Sequence, residues 1–261
     1  MDEKKHYPRW VADISLLAVT AIWGLTFVTV KNAIELLPPF SFNFMRFTMA
    51  SLIMLCLALP FWRRCSLATV IAGIAIGVFL FGGYSFQTVG LIYTSASKAG
   101  FITGLSVILV PIMLTLSSRQ LPGAGIIIGA VFATIGLALL SFDGAEKLNR
   151  GDFLVLLCAV SFALQIIFVG KFAPHHHTIW LVTWQLITVA FLSGLTAFFV
   201  EPAIKTITPP VWRALVITAL LATCAAQFVQ NYMQRFTTPA HTAIIFTMEP
   251  VFAAAFAVLL L

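Results

Sequence analysis

The chain has 261 residues, of which 61% are hydrophobic and 9% charged, with a mean hydropathy of +1.03. Soluble chains run nearer about 45–50% apolar and about 25% charged, so a water-soluble globular domain is excluded and a membrane protein is indicated. The net charge of +6 does not point to nucleic acid, because the basic residues stand singly at the ends of apolar runs rather than on one face.

A spanning helix needs roughly 20 mostly apolar residues. Taken in chain order, nine segments qualify: about 11–33, 40–61, 67–91, 95–117, 123–142, 152–172, 178–200, 211–233 and 239–261. The first is too long for a signal-peptide core and no small-residue cleavage motif ends it, so it reads as a retained span. The connectors are short and leave no room for a soluble domain. With the N-terminus inside, eight Lys and Arg (Lys4, Lys5, Arg9, Arg63, Arg64, Arg119, Lys171, Arg235) lie on the cytoplasmic side against six outside. The N-terminal cluster tips that balance, giving a multi-pass inner (plasma) membrane protein with a cytoplasmic N-terminus.

The chain repeats itself. A shift of 139 residues carries Asp13 onto Asp152, Trp23 onto Phe162, Arg46 onto Gln185 and Pro111 onto Pro250. A local shift of 143 carries Gln87 onto Gln230 and Thr94-Ser95-Ala96-Ser97 onto Thr237-Thr238-Pro239-Ala240. One repeat then holds five helices, residues 1–148, and the second, 149–261, holds four. An odd number turns the second copy upside down, the inverted arrangement of secondary transporters. The expected fold is all-α, with two inverted five-helix repeats and nine spans present of ten. The missing tenth is expected after Leu261, where the chain stops within an apolar run; a genuine nine-helix protein is the alternative.

Polar groups within spans are costly and ask for a reason. Glu249 lies about 16 Å into the ninth span and directly precedes Pro250. That proline removes the hydrogen bond to the Phe246 carbonyl, as Pro111 does for Val107 in the matching helix. Two breaks at matching places point to a midplane site. Glu249 is then a proton-coupling or substrate-amine group, or else a structural partner of the broken backbone or of Arg46. Arg46 either grips a carboxylate with its guanidinium or snorkels to the interface, and Lys98 carries the same two readings. Gln87, Gln165, Gln185, Gln227, Gln230 and Asn231 either meet a substrate or bond helix to helix. Trp23 and Trp184 lie deeper than the belt tryptophans and either shape a pocket or pack against lipid.

Two small-residue stripes, Gly73/Gly77 and Gly125/Gly129/Ala133, let helices approach closely and offer a route to a homodimer. The run His175-His176-His177 has no acidic or cysteine partner, and the four cysteines show no ligand spacing, so no metal or other cofactor is expected. No nucleotide-binding loop or catalytic motif occurs, so no enzyme activity is expected.

These residues fall into an order. Ala21-Ile22-Trp23-Gly24-Leu25-Thr26-Phe27 is followed by Phe44-Met45-Arg46-Phe47 and by the run from Tyr93 through Ser95, Lys98 and Phe101 to Thr103. The second half supplies the run from Gln230 to Pro239, then Met248-Glu249-Pro250-Val251-Phe252. Over essentially the whole chain this resembles the EamA-type transporters of the drug/metabolite transporter superfamily. The resemblance implies ten helices with both termini cytoplasmic and a cavity built by both repeats. It also implies transport of amino acids or other small metabolites, often outward, across a bacterial inner membrane.

The reading is a secondary transporter working by alternating access in the bilayer, with a small-molecule substrate and no nucleic-acid partner. Arg46 and Lys98 favour an anionic group, and Gln87, Gln165, Gln185 and Gln230 supply hydrogen bonds. Trp23, Phe101 and Trp184 shape the pocket, Glu249 couples protons, and Pro111 and Pro250 break their helices. The rivals are a non-transporting scaffold or receptor, which would be indifferent to changes at Glu249, and a membrane-embedded enzyme, which lacks a nucleophile–base or metal constellation.

Overall fold

The structure, a computed structural model, describes residues 8–118, 122–141, 149–204 and 206–260. Lys4, Lys5, Arg119 and the predicted stop at Leu261 lie outside the described residues. Within them the backbone is helical and contains no strand. This follows from the composition: a long apolar run in lipid must satisfy every N–H and C=O within itself.

Seven helices are long and apolar enough to cross a membrane. They are built from α1 (Arg9–Ile34), α2 (Pro39–Ala58) with a 3₁₀ extension to Arg64, α3 (Leu67–Tyr93), α4 (Ala96–Gly104) with α5 (Ser106–Ser118), α7 (Arg150–Phe172) and α8 (Thr178–Val200); the seventh joins α9 (Pro209–Ile217), a π-helical stretch Thr218–Ala225 and α10 (Ala226–Met233). The remaining two predicted spans are occupied by α6 (Ala124–Ser141) and by a broken pair, α11 (Pro239–Phe246) and α12 (Met248–Leu260).

The helix starts are written locally. Pro39, Pro209 and Pro239 occupy first-turn positions where a missing N–H costs nothing. Ser66, Ser95 and Thr238 accept from the exposed first-turn N–H groups of α3, α4 and α11. Asn149 and Asp152 form a reciprocal capping box on α7.

Two of these helices are interrupted, in neither case at the proline itself. The α4–α5 break falls at Leu105, whose N–H turns back to Ile102 at 3.1 Å. The α11–α12 break falls at Thr247, whose N–H reaches Ile244 at 3.2 Å. Pro111 itself sits inside α5. The breaks precede Pro111 by six residues and Pro250 by three.

The two halves interleave. Helix α3 packs against α7 and α8, α2 against α8, and α1 against α12 and α10. The Gly73/Gly77 stripe is used inside this interface: added Cβ atoms would lie 2.5 Å from Trp184 Cβ and 2.6 Å from Thr188 Cβ. Gly125 of the second stripe meets nothing within 4 Å. Of the three histidines, His175 is exposed, while His176 Nδ1 lies 3.0 Å from Thr69 Oγ1 and the His177 ring 5.2 Å from Phe61.

Candidate functional site

A cavity of about 60 Å³ lies where the halves meet. The first half contributes Trp23, Thr26, Phe27 and Val30 of α1, Arg46 of α2, Tyr84 and Gln87 of α3, and Thr103, Gly104 and Ser106 around the α4–α5 break. The second half contributes Phe162, Gln165 and Ile166 of α7, Gln227 and Gln230 of α10, Phe246 of α11, and Glu249 and Pro250 of α12. Trp23, Thr26 and Phe27 on α1 correspond, under the 139-residue shift, to Phe162, Gln165 and Ile166 on α7. Sequence-matched positions of α1 and α7 therefore both line the cavity.

Arg46 is 3% exposed and does not reach an interface. Its Nε donates to Thr223 Oγ1 at 2.6 Å, and its guanidinium carbon lies 4.8 Å from the centre of the Tyr84 ring. A desolvated guanidinium over an aromatic face is held by the ring quadrupole. Thr223 belongs to the π-helical stretch, and its hydroxyl in turn donates to Thr218 O, five residues back, at 2.9 Å. Trp23 anchors the same stretch, with Nε1 donating to Ala222 O at 2.8 Å and its ring edge-on to Phe246 at 5.0 Å. Single-turn π distortions free backbone carbonyls and gather at functional sites. Here two side chains of the first half hold one open beside the cavity.

The amides line the opposite wall. Gln230 Nε2 donates to Gln165 Oε1 at 3.1 Å, and Gln234 donates to the Ile166 carbonyl. Gln165 Nε2, Gln227 Oε1 and Gln230 Oε1 are buried with no hydrogen-bond partner. Buried polar atoms are nearly always paired, and these three exceptions all belong to residues that line one cavity. Glu249 adds a carboxylate with no hydrogen bond or ion pair among the described residues. It stands one position before Pro250, and Gly24 allows its helix in: a Cβ on Gly24 would lie 2.8 Å from the Glu249 carbonyl oxygen.

Of the residues singled out in the sequence, the cavity thus gathers Trp23, Arg46, Gln87, Gln165, Gln227, Gln230, Glu249 and Pro250. It does not gather Lys98, Phe101, Pro111, Trp184 or Gln185. Lys98 Nζ is paired with Asp152 Oδ2 at 2.7 Å. Phe101 packs onto the apolar cluster around Phe27 and Leu91. Trp184 lies against Gly73, and Gln185 donates to Asn231 Oδ1 at 2.8 Å. The sequence reading passed over Tyr84, Phe162 and Thr223 as lining or anchoring groups. Tyr84 lies three residues before Gln87 on one helical face, and Phe162 is the repeat mate of Trp23; both signals were present.

Residues 10–142 and 149–261 each match the EamA-like transporter family. The chain belongs to this family. It is similar to an uncharacterized transporter of Archaeoglobus fulgidus, with 37% identity over 253 residues, covering 97% of this chain and 79% of that relative. It is also similar to the uncharacterized transporter YvbV of Bacillus subtilis, with 26% identity, covering 83% of this chain and 71% of that relative. A solved crystal structure superposes with a TM-score of 0.79 at 19% identity, covering 97% of this chain and 89% of that one, and so shares the fold. The chain is a multi-pass membrane protein of a transporter family.

Proposed function

We propose that this EamA-family chain is a secondary transporter of small metabolites, amino acids or related compounds, working by alternating access around the central cavity, in the outward direction. The observation that carries the reading is the lining itself: both halves contribute matching faces, and unpartnered polar atoms of Gln165, Gln227 and Gln230 belong to residues that line it. A guanidinium at one wall and an unpaired carboxylate at a helix break suit a zwitterion. Arg46 takes the acidic group, Gln87, Gln165 and Gln230 hydrogen-bond the body, Trp23 shapes the pocket, and Glu249 exchanges a proton or meets the amine. A cavity of about 60 Å³ suits a compact solute.

Nine spans arranged as two inverted five-helix repeats fit the packing. Pairs exchange under the repeat: α4 and α5 against α7 match α11 and α12 against α1, and α2 faces its own counterpart α8. The membrane is the inner (plasma) membrane, with the N-terminus cytoplasmic. Counterflow of a mixed pool of labelled amino acids and metabolites in proteoliposomes tests the proposal. Saturable, substrate-dependent exchange is expected. Flux that does not saturate would make the protein a channel, and no flux from any pool would favour a scaffold or receptor.

A further inference from the structure

Two ion pairs outside the cavity are one pair built twice. Lys98, at the start of α4, meets Asp152 in the first turn of α7, Nζ to Oδ2 at 2.7 Å. His241, at the start of α11, meets Asp13 near the start of α1, Nε2 to Oδ1 at 3.0 Å. The repeat shifts carry Asp13 onto Asp152 and Lys98 onto His241. Even the caps correspond: Ser95 Oγ accepts from the Lys98 N–H, and Thr238 Oγ1 from the His241 N–H, both at 3.2 Å.

The pairs sit at opposite ends of α1. Asp13 is near its beginning. Near its other end Lys31 Nζ donates to Thr94 O at 3.1 Å, and the Thr94 hydroxyl donates to Asp152 Oδ1 at 2.7 Å. From Asp13 to Lys31 is about 27 Å of helix at 1.5 Å per residue. Trp23 and Thr26 of the cavity wall lie between them.

Their surroundings differ. Asp152 is 4% exposed and is also held by the Asn149 N–H at 2.8 Å. Asp13 has Trp10 where Asp152 has Asn149; its side chain is 38% exposed, and its partner is a 47% exposed imidazole. The elements packed on α11 bring few other titratable groups. Helix α1 carries Arg9 one turn before Asp13, and Lys31 and the following Glu35 at its far end; α12 carries Glu249. Helix α7 carries Lys171 in its last turn, Cys158 midway, and Arg150 and Asp152 at the remote end, and Arg235 lies in the turn before α11. The described parts of α5 and α6 carry none.

We propose that these pairs are the two gate latches of the cavity, and that only the Asp13–His241 latch is set by proton concentration. The proposal rests on the transport reading. A charged imidazolium would hold the Asp13 carboxylate more tightly than a neutral imidazole at the same 3.0 Å contact, so that end opens more readily at low proton concentration. The Lys98–Asp152 pair contains no imidazole, so the other end does not follow.

The test uses repeat-mate reporters just inside each latch, in a background where Cys56, Cys65, Cys158 and Cys224 are replaced. Leu16→Cys lies in the cluster with Ala240 and Ala243, and Val155→Cys in the cluster with Leu91 and Ala99. Labelling by a maleimide is followed in nanodiscs from acid to mildly alkaline pH. For Leu16→Cys the rate should rise about two- to fivefold more with His241 than with His241→Lys, the range an exposed pair supports. Asp13→Asn should label fast at every pH, and Val155→Cys should give one curve in both backgrounds. Superimposable Leu16→Cys curves, or a His241 effect at Val155→Cys, would overturn the proposal. Labelling needs no substrate: expected labelling without flux would sink the transport reading alone, and flux with superimposable curves would sink only the latch.

Discussion

The two broken helices make the sharpest comparison in the molecule. Both tighten a few residues before a proline, at Leu105 and at Thr247, and both begin behind a hydroxyl cap. At the position preceding the proline they part. Val110, before Pro111, is fully buried in the cluster with Leu16 and Ala163. Glu249, before Pro250, faces the cavity without a partner among the described residues. A break occurs in both helices, whereas the carboxylate is present in one of them and lines the cavity.

Exchanging the contents of the two breaks should separate those roles. Glu249→Gln keeps the shape and removes the charge. Saturable counterflow should fall about 100-fold, the worth of a charge-assisted hydrogen bond, while the melting temperature in detergent holds or rises because a buried unpaired carboxylate is gone. Val110→Glu should do the opposite: it places a carboxylate in a dry cluster, at a cost of about 3 kcal/mol on the insertion scale. Its melting temperature should drop by about 6–12 °C. Equal loss of flux and stability in both variants would remove the distinction.

Gly24 sharpens the comparison from the neighbouring helix. Its repeat mate is Ala163, where a Cβ is already accommodated in a buried cluster. At Gly24 the added carbon would fall 2.8 Å from the Glu249 carbonyl oxygen and 2.9 Å from the Ala253 nitrogen, both backbone. Backbone cannot swing aside as a flexible side chain can, so α12 must move away from α1. Gly24→Val should cost about 1–3 kcal/mol and raise the counterflow half-saturation concentration, since Glu249 moves with its helix. Unchanged affinity would mean that Glu249 meets no substrate.

The apolar helices were legible in the sequence; direction around each helix was not. Hydropathy marked the seven spanning helices, because burial in lipid leaves a linear trace. The same reasoning grouped Lys98, Trp184 and Gln185 with Arg46 and Gln230, although their helices turn them elsewhere: onto Asp152, Gly73 and Asn231 respectively. A polar residue in a span announces that it needs a partner without saying whether that partner is a ligand or another helix. The π-helical stretch Thr218–Ala225 left no trace at all. Nothing in its own sequence breaks a helix; Trp23 and Arg46, distant in the chain, hold its carbonyl and hydroxyl.

Gln185 supplies the smallest effect and the cleanest separation of the two kinds of amide. It is wholly buried and donates to Asn231 Oδ1 at 2.8 Å, while Asn231 Nδ2 donates to Gln227 O at 2.8 Å. Its own Oε1 is unpartnered, but it does not line the cavity. Gln185→Leu removes one interhelical bond and an unsatisfied acceptor together, so the net loss should be about 0.6 kcal/mol, or a melting shift of about 1–3 °C, with counterflow kinetics unaltered. Gln165→Leu deletes a comparable bond, but also a free donor at the cavity wall, and should reduce counterflow affinity at a similar stability cost. If the two variants were kinetically alike, unpaired amide atoms would mark imperfect packing rather than a place for substrate.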